Sequence, residues 1–218
     1  LRSVALVGTD GTIDWYCCTA FDAPSVFASI LDAERGGCFE LAATVPTRTK
    51  QFYFPDTNVL ITRFFTEDGV GEVQDFMPID HAEMALHRHR LVRRVVVVRG
   101  EMEFRIEVQP RFDYGQAEHE VEMHPHGVLF RSPDLALALE GAISRTMGHE
   151  RRLERRGNGV YATFTLTAGE SHTFVLERVP QDHICRPYSE RETLAAFEAT
   201  VGYWRKWVAQ SRYTGRWR

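Results

Sequence analysis

His89-Arg-Leu-Val-Arg-Arg-Val-Val-Val-Val98 and Met102-Glu-Phe-Arg-Ile-Glu-Val-Gln109, on either side of Arg99-Gly100-Glu101, decide the fold class. In the second run Met102, Phe104, Ile106 and Val108 face one way, and Glu103, Arg105, Glu107 and Gln109 face the other. That is the period of a half-buried β-strand, without a miss over eight residues. The two runs are expected as long strands meeting around Arg99–Glu101. Upstream and downstream the same signal recurs. Val4–Val7 and Ile13–Cys17 flank Thr9-Asp10-Gly11-Thr12, and Asp-Gly between apolar runs is a hairpin signal, expected here as a type I′ turn with Asp10 in it. Asn58–Thr66 and Gly71–Met77 turn at Glu67–Val70, and Cys38–Ala42, Gln51–Phe54, Val128–Phe130, Leu135–Leu139, Gly159–Leu166 and His172–Glu177 add further strands. About a dozen short strands with Gly and Pro turns predict an all-β fold, a large antiparallel two-sheet β-sandwich.

Two segments depart from this period. Pro24 followed by Ser25–Leu31 has apolar residues at helical spacing before Gly36-Gly37, which predicts a short helix near the N-terminus. Ser189-Glu-Arg-Glu192 is a capping box, and Leu194, Phe197, Val201, Trp204 and Val208 follow at helical spacing, predicting a C-terminal helix ending near Ser211. The expected organisation is therefore a sandwich over 1–188 and a linker helix over 189–218. A chain that stops at Tyr213-Thr-Gly-Arg-Trp217, after a helix with surplus apolar surface, reads as one that continues.

Composition excludes several classes. The chain has 218 residues, 44% of them hydrophobic, enough for one large domain with its own core. The net charge of −4 argues against nucleic acid, whose binders carry a basic excess. No apolar run approaches the roughly 20 residues of a membrane span. Cys17, Cys18, Cys38 and Cys185 contain no C-x-x-C pair and read as reduced thiols of a cytoplasmic protein.

Candidates for chemistry are few. Asp10, Asp14 and Asp22 could supply the carboxyl pair of a glycoside hydrolase, which needs two such groups about 5–9 Å apart, but a turn or supporting role suits them better. Trp15 and Phe21 suit a core or an interface better than a sugar platform. His87-Arg-His89 and His124-Pro-His126 have metal-ligand spacing but no third ligand, so no metal site and no cofactor are expected. Arg88, Arg90, Arg93, Arg94 and Arg99 are expected on a solvated sheet face opposite Glu101, Glu103 and Glu107. No phosphate loop, nucleophile elbow or HExxH motif is present.

Several motifs in order carry a resemblance. Ala5–Cys17 with Phe21-Asp-Ala-Pro-Ser-Val-Phe-Ala28 and Leu31–Gly37, then Tyr53–Leu60, Asp75-Phe-Met-Pro78, Arg111-Phe-Asp-Tyr-Gly115, Trp204-Arg-Lys-Trp207 and Tyr213–Trp217 span essentially the whole chain. Together they resemble the N-terminal domain of bacterial glycoside hydrolase family 15 proteins, the trehalase and glucoamylase-like enzymes. The resemblance implies a β-"super-sandwich" joined by a helical linker to an (α/α)₆-barrel. It implies that the barrel carries the two catalytic glutamates and hydrolyses an α-glucoside such as trehalose or a malto- or isomalto-oligosaccharide with inversion. No catalytic residue is then expected in this chain. Its partner is its own C-terminal barrel, and Asp14, Trp15, Phe21 and Asp22 are expected to support or rim the sugar pocket. Beside this stands an autonomous carbohydrate-binding or protein-interaction sandwich, which would need a row of exposed aromatic residues. Phe52 and Phe54 on one face, with Tyr53 on the other, are the nearest the sequence offers.

Overall fold

Strict alternation builds two layers, and one strand belongs to both. The computed structural model describes residues 3–79, 89–141 and 153–213. Its strands are β1 (Ala5–Val7), β2 (Thr12–Tyr16), β3 (Cys38–Ala43), β4 (Arg48–Tyr53), β5 (Leu60–Phe65), β6 (Gly69–Phe76), β7 (Arg90–Gln109), β8 (Glu120–His124), β9 (Gly127–Arg131), β10 (Ala136–Glu140), β11 (Glu154–Arg156), β12 (Gly159–Thr167) and β13 (Ser171–Val179). A single turn, α1 (Phe112–Gly115), and a long helix, α2 (Glu190–Val208), complete the described elements. All pairings are antiparallel, and the strands form one continuous hydrogen-bonded network. One layer runs β1-β2-β3-β7-β12-β11 and the other β4-β5-β6-β7-β13-β10-β9-β8. The fold is the all-β sandwich that the alternation predicts.

The two runs that decide the fold are not two strands but one. The 20 residues of β7 continue through Arg99–Glu101. Their first half pairs with β6 and β13, their second with β3 and β12. The crossing is made by a bulge: Val70 pairs with Arg99 but Gly71 with Val97, so Val98 is extra. Bulges let a strand turn the corner between sheets. Gly100 follows at φ +71°, where an added Cβ would lie 1.8 Å from the Asp68 carbonyl oxygen. Only glycine fits that corner.

Between the layers lies the main core. Phe64 of β5 meets Phe104 of β7 edge to face at 6.2 Å, and Phe164 of β12 meets Phe174 of β13 at 5.7 Å, each pair joining opposite layers. The outer face of the second layer is buried too. Val59, Ile61, Phe76, Val92 and Val175 cluster there with Val201 of α2. Phe197 of the helix sits between Phe54 at 5.8 Å and Phe76 at 5.6 Å. The capping box is present: Ser189 Oγ accepts from the Glu192 amide, and the Ser189 amide donates to Glu192 Oε2, each at 3.1 Å. The buried stripe differs from the expected one. Leu194 is exposed, while Thr193 and Thr200 are buried. Their hydroxyls satisfy themselves by donating to the Glu190 and Ala196 carbonyls, so small polar residues can lie flat on the sheet.

Three local expectations are corrected. The β1–β2 connection is not type I′. Gly11 alone has positive φ, at +89°, and the Gly11 amide donates to the Gly8 carbonyl while Gly8 N donates to Thr12 O. This is the three-residue hairpin of a type I turn closed by a left-handed glycine. Asp10 stays in ordinary φ and caps the turn by accepting from the Thr12 amide at 3.0 Å. The helix expected over Ser25–Leu31 is absent. Phe27 instead forms an extended bridge with Tyr16, and turns follow from Ala28. Ser25, Val26, Phe27 and Ala28 are all buried, so tertiary pairing overrides helical spacing that would have exposed one side. Finally, Arg93 is not solvated.

Candidate functional site

Arg93 lies on the core face of β7, in the parity of Leu91, Val95 and Val97, and is 0% exposed. Its guanidinium grips Asp75 with both arms, Nε to Oδ1 at 2.8 Å and Nη2 to Oδ2 at 3.1 Å. The remaining donors reach the other layer: Nη2 bonds the Gly11 carbonyl at 2.6 Å and Nη1 bonds the Phe39 carbonyl. The Phe39 ring lies 4.7 Å away, in cation–π range. A planar fork with five donors suits this task, and an ammonium does not. The side chain thus bolts the tip of the β1–β2 hairpin and β3 to the opposite sheet. Arg94 is half-buried and donates to Gln74 at 3.0 Å, while Arg90 donates to the Tyr188 hydroxyl at 3.3 Å. Arg88 and His87 lie outside the described residues. The glutamates expected opposite this run sit on the other half of the same strand.

Three residues past the bolted Gly11, on β2, stands the stretch Asp14-Trp15. Ile13 and Tyr16 are both core residues although three apart, which strict alternation forbids. A bulge explains it: Val7 pairs with Ile13 and Leu6 with Trp15, leaving Asp14 as the extra residue. Bulges re-aim side chains beside functional sites. Asp14 Oδ1 accepts from Ser29 Oγ at 2.9 Å, tying β2 to the turn after Phe27. The half-buried Trp15 places its ring 6.1 Å from Tyr114. Burial and the nearby Asp22 carboxylate push the pKa of the buried Cys17 thiol up.

The four nominated residues do not share one face. Asp22 is exposed, near enough to Cys17 for its carboxylate to raise that thiol's pKa. Phe21, 68% exposed, instead walls a cavity of about 810 Å³ bounded by Tyr16, Cys18, Tyr53, Asp75 and Trp204. Burial raises the Tyr16 and Cys18 pKa values, that of Cys18 to about 11. His124 faces Glu122 at 3.0 Å. Among the described residues no three His, Cys, Asp or Glu side chains come together as a metal set.

The residue missed is Tyr114. It stands on α1, which winds left-handed through Asp113 (φ 50°, ψ 55°) and Tyr114 (φ 56°, ψ 29°). The turn is stitched to the opening motif: Arg111 N donates to Val26 O at 2.8 Å and Tyr114 N to Ser25 O at 3.4 Å. The segments 14–16, 25–29 and 111–114 therefore pack together. The resemblance motif Arg111–Gly115 was the signal for it, but nothing in its spacing tells which ring it would meet.

The profile of the trehalase-like N-terminal domain matches residues 1–177. A trehalase of Thermoplasma volcanium is 28% identical over 98% of this chain and 33% of its own length. One from Thermoplasma acidophilum is 29% identical over 96% of this chain and 35% of its length. Trehalase 2 of Sulfolobus acidocaldarius is 30% identical over 62% of this chain and 21% of its length. The chain thus spans about a third of the two Thermoplasma relatives. With the profile covering most of its residues, the chain belongs to the family of trehalase-like N-terminal domains.

Proposed function

We propose that this chain is the non-catalytic N-terminal sandwich of a family 15 glycoside hydrolase that cleaves α-glucosidic bonds, trehalose first among them, in the cytoplasm. The carrying observation is coverage: 98% of this chain matches only 33% of a relative named trehalase. In this reading residues 1–188 are the sandwich, 189–218 lead into an (α/α)₆-barrel, and the barrel supplies the general acid and base. The sandwich stabilises the barrel, and the patch of Asp14, Trp15 and Asp22, with Phe21 at its cavity, borders the sugar pocket. Support for a non-catalytic role comes from Asp14, whose carboxylate is engaged by Ser29, and from Asp10, which caps its own turn. No helix of the described residues is long and apolar enough to cross a membrane.

An autonomous sugar-binding module is disfavoured by its own requirement. Phe52 lies under the Arg63 guanidinium at 5.1 Å, and Phe54 is packed beneath α2. No open aromatic row remains on that strand. The test is glucose release from trehalose and maltose by this chain and by the full-length product of its gene. Activity in the longer protein alone supports the proposal. Activity in this chain overturns it. Within the longer protein, Trp15→Ala should raise KM or lower kcat with the sandwich still folded. Unchanged kinetics with lower thermal stability would leave Trp15 a packing residue.

A further inference from the structure

Among the described residues only three non-glycine positions have positive φ, and two of them, Asp113 and Tyr114, are consecutive. L-residues rarely adopt this conformation, and it persists only where the surroundings over-determine it. Here they do. Phe112 is buried as an anchor, its carbonyl accepting from Ala117 N at 3.1 Å, and the Asp113 carbonyl accepts from Gln116 N at 3.0 Å. Arg111 and Tyr114 are pinned to Val26 and Ser25 from the other side. The turn exposes Asp113 and leaves Tyr114 46% exposed, with its ring against Trp15.

We propose that Tyr114 is a further substrate-positioning residue: with Trp15 it forms an aromatic edge that receives the apolar face of a pyranose ring, and Asp113 offers its carboxylate to the sugar hydroxyls. This rests on the reading that the patch borders the sugar pocket. The chemistry suits a hexose unit. A ring face of C–H bonds packs on an aromatic face, and the equatorial hydroxyls at its rim need acceptors that a carboxylate supplies. A few convergent polar groups on an apolar wall are how small-ligand sites fix orientation. At these positive φ values Tyr114 stands outward beside Trp15, while Phe112 is buried.

The experiment uses the full-length gene product, with steady-state glucose release and thermal unfolding measured on wild type, Trp15→Ala, Tyr114→Ala and Tyr114→Phe. Expected is a KM raised about five- to tenfold in Tyr114→Ala, the scale of one lost aromatic contact, with kcat little changed and Tm kept. Tyr114→Phe, which keeps the ring, should restore wild-type KM. If Trp15→Ala raises KM while Tyr114→Ala does not, the role given to Tyr114 is overturned and the pocket reading stands. If Tyr114→Ala lowers Tm and leaves KM alone, the residue is interface packing and the proposal is overturned. A wild-type product that hydrolyses no α-glucoside overturns the underlying reading itself.

Discussion

Replacing Arg93 by methionine keeps the length and apolar stem of the side chain and deletes its fork. Asp75 is then a carboxylate, 5% exposed, facing the space its counter-charge has left. Removing one partner of a buried ion pair costs about 3–5 kcal/mol. The Gly11 and Phe39 carbonyls also lose their Arg93 donor, and a buried acceptor left unpaired costs about 1–3 kcal/mol. Asp75 borders the cavity under Phe21, so water can reach it and the lower end of each range applies. The sum is about 5 kcal/mol, the whole stability of a marginal domain. Urea titration followed by tryptophan fluorescence should therefore find Arg93→Met largely unfolded or shifted to a far lower midpoint. The double variant Arg93→Met/Asp75→Leu removes the stranded charge and should recover about 3 kcal/mol of that loss, a coupling that independent sites do not show. A single variant within about 1 kcal/mol of wild type, or a double variant no more stable than the single, would refute the bolt.

Burial among the Phe164 and Phe174 rings lowers the pKa of His172 to about 4, and its Nε2 has no hydrogen-bond partner. The unfolded chain, near 6.5, takes up a proton that the folded one refuses, so this contribution is complete above about pH 6.5 and is lost as pH falls toward 4, about 3 kcal/mol in all. Urea midpoints at pH 7 and 4.5 should converge in His172→Phe relative to wild type; an equal pH slope in both sinks the assignment. Gly100→Ala places a methyl against the Asp68 carbonyl at positive φ and should destabilise by more than about 2 kcal/mol, with circular dichroism melting as the check. Burial raises the thiol pKa of Cys18 and Cys38 to about 11 and of Cys185 to about 12, so a thiolate reagent at pH 8 should label them slowly in the native protein and promptly in denaturant. Prompt native labelling of Cys18 or Cys185 would contradict their burial.

Strand content was legible because most positions obey one rule. Met102 to Gln109 alternate without a break, and the structure buries the apolar parity. The capping box at Ser189 was legible because its chemistry is local. What escaped is what depends on distant partners. Arg93 carries the parity of Leu91 and Val95, and that alignment was a usable clue, but its acceptors lie on Gly11, Phe39 and Asp75, far away in sequence. The apolar residues of Ser25–Leu31 sit at helical spacing, yet Tyr16 offered Phe27 an extended partner. The continuity of β7 through Gly100 was hidden because a glycine flanked by charges reads as a turn, and only the sheets on either side show it to be a corner. At the candidate site, Asp14 and Trp15 stood out by type, while Tyr114 became visible only when α1 placed its ring beside Trp15.

The sharing of β7 has a consequence for how the chain reaches this structure. Its partners come from Cys38–Ala43 and Gly69–Phe76 before it and from Gly159–Val179 after it. During synthesis β3, β6 and β7 can meet early, but one edge of each half of β7 then waits until the chain has grown by some 50 residues or more, to Gly159 and beyond. Such a topology is rich in sequence-distant pairings, and folding is expected on the slow, millisecond-to-second side for its size. Neither layer can close without the strand that also closes the other, so the two should form in a single kinetic phase. Until then the open edges of β7 are templates for the wrong strand, and its Val95–Val98 run is the place where an unfinished chain is most exposed to aggregation.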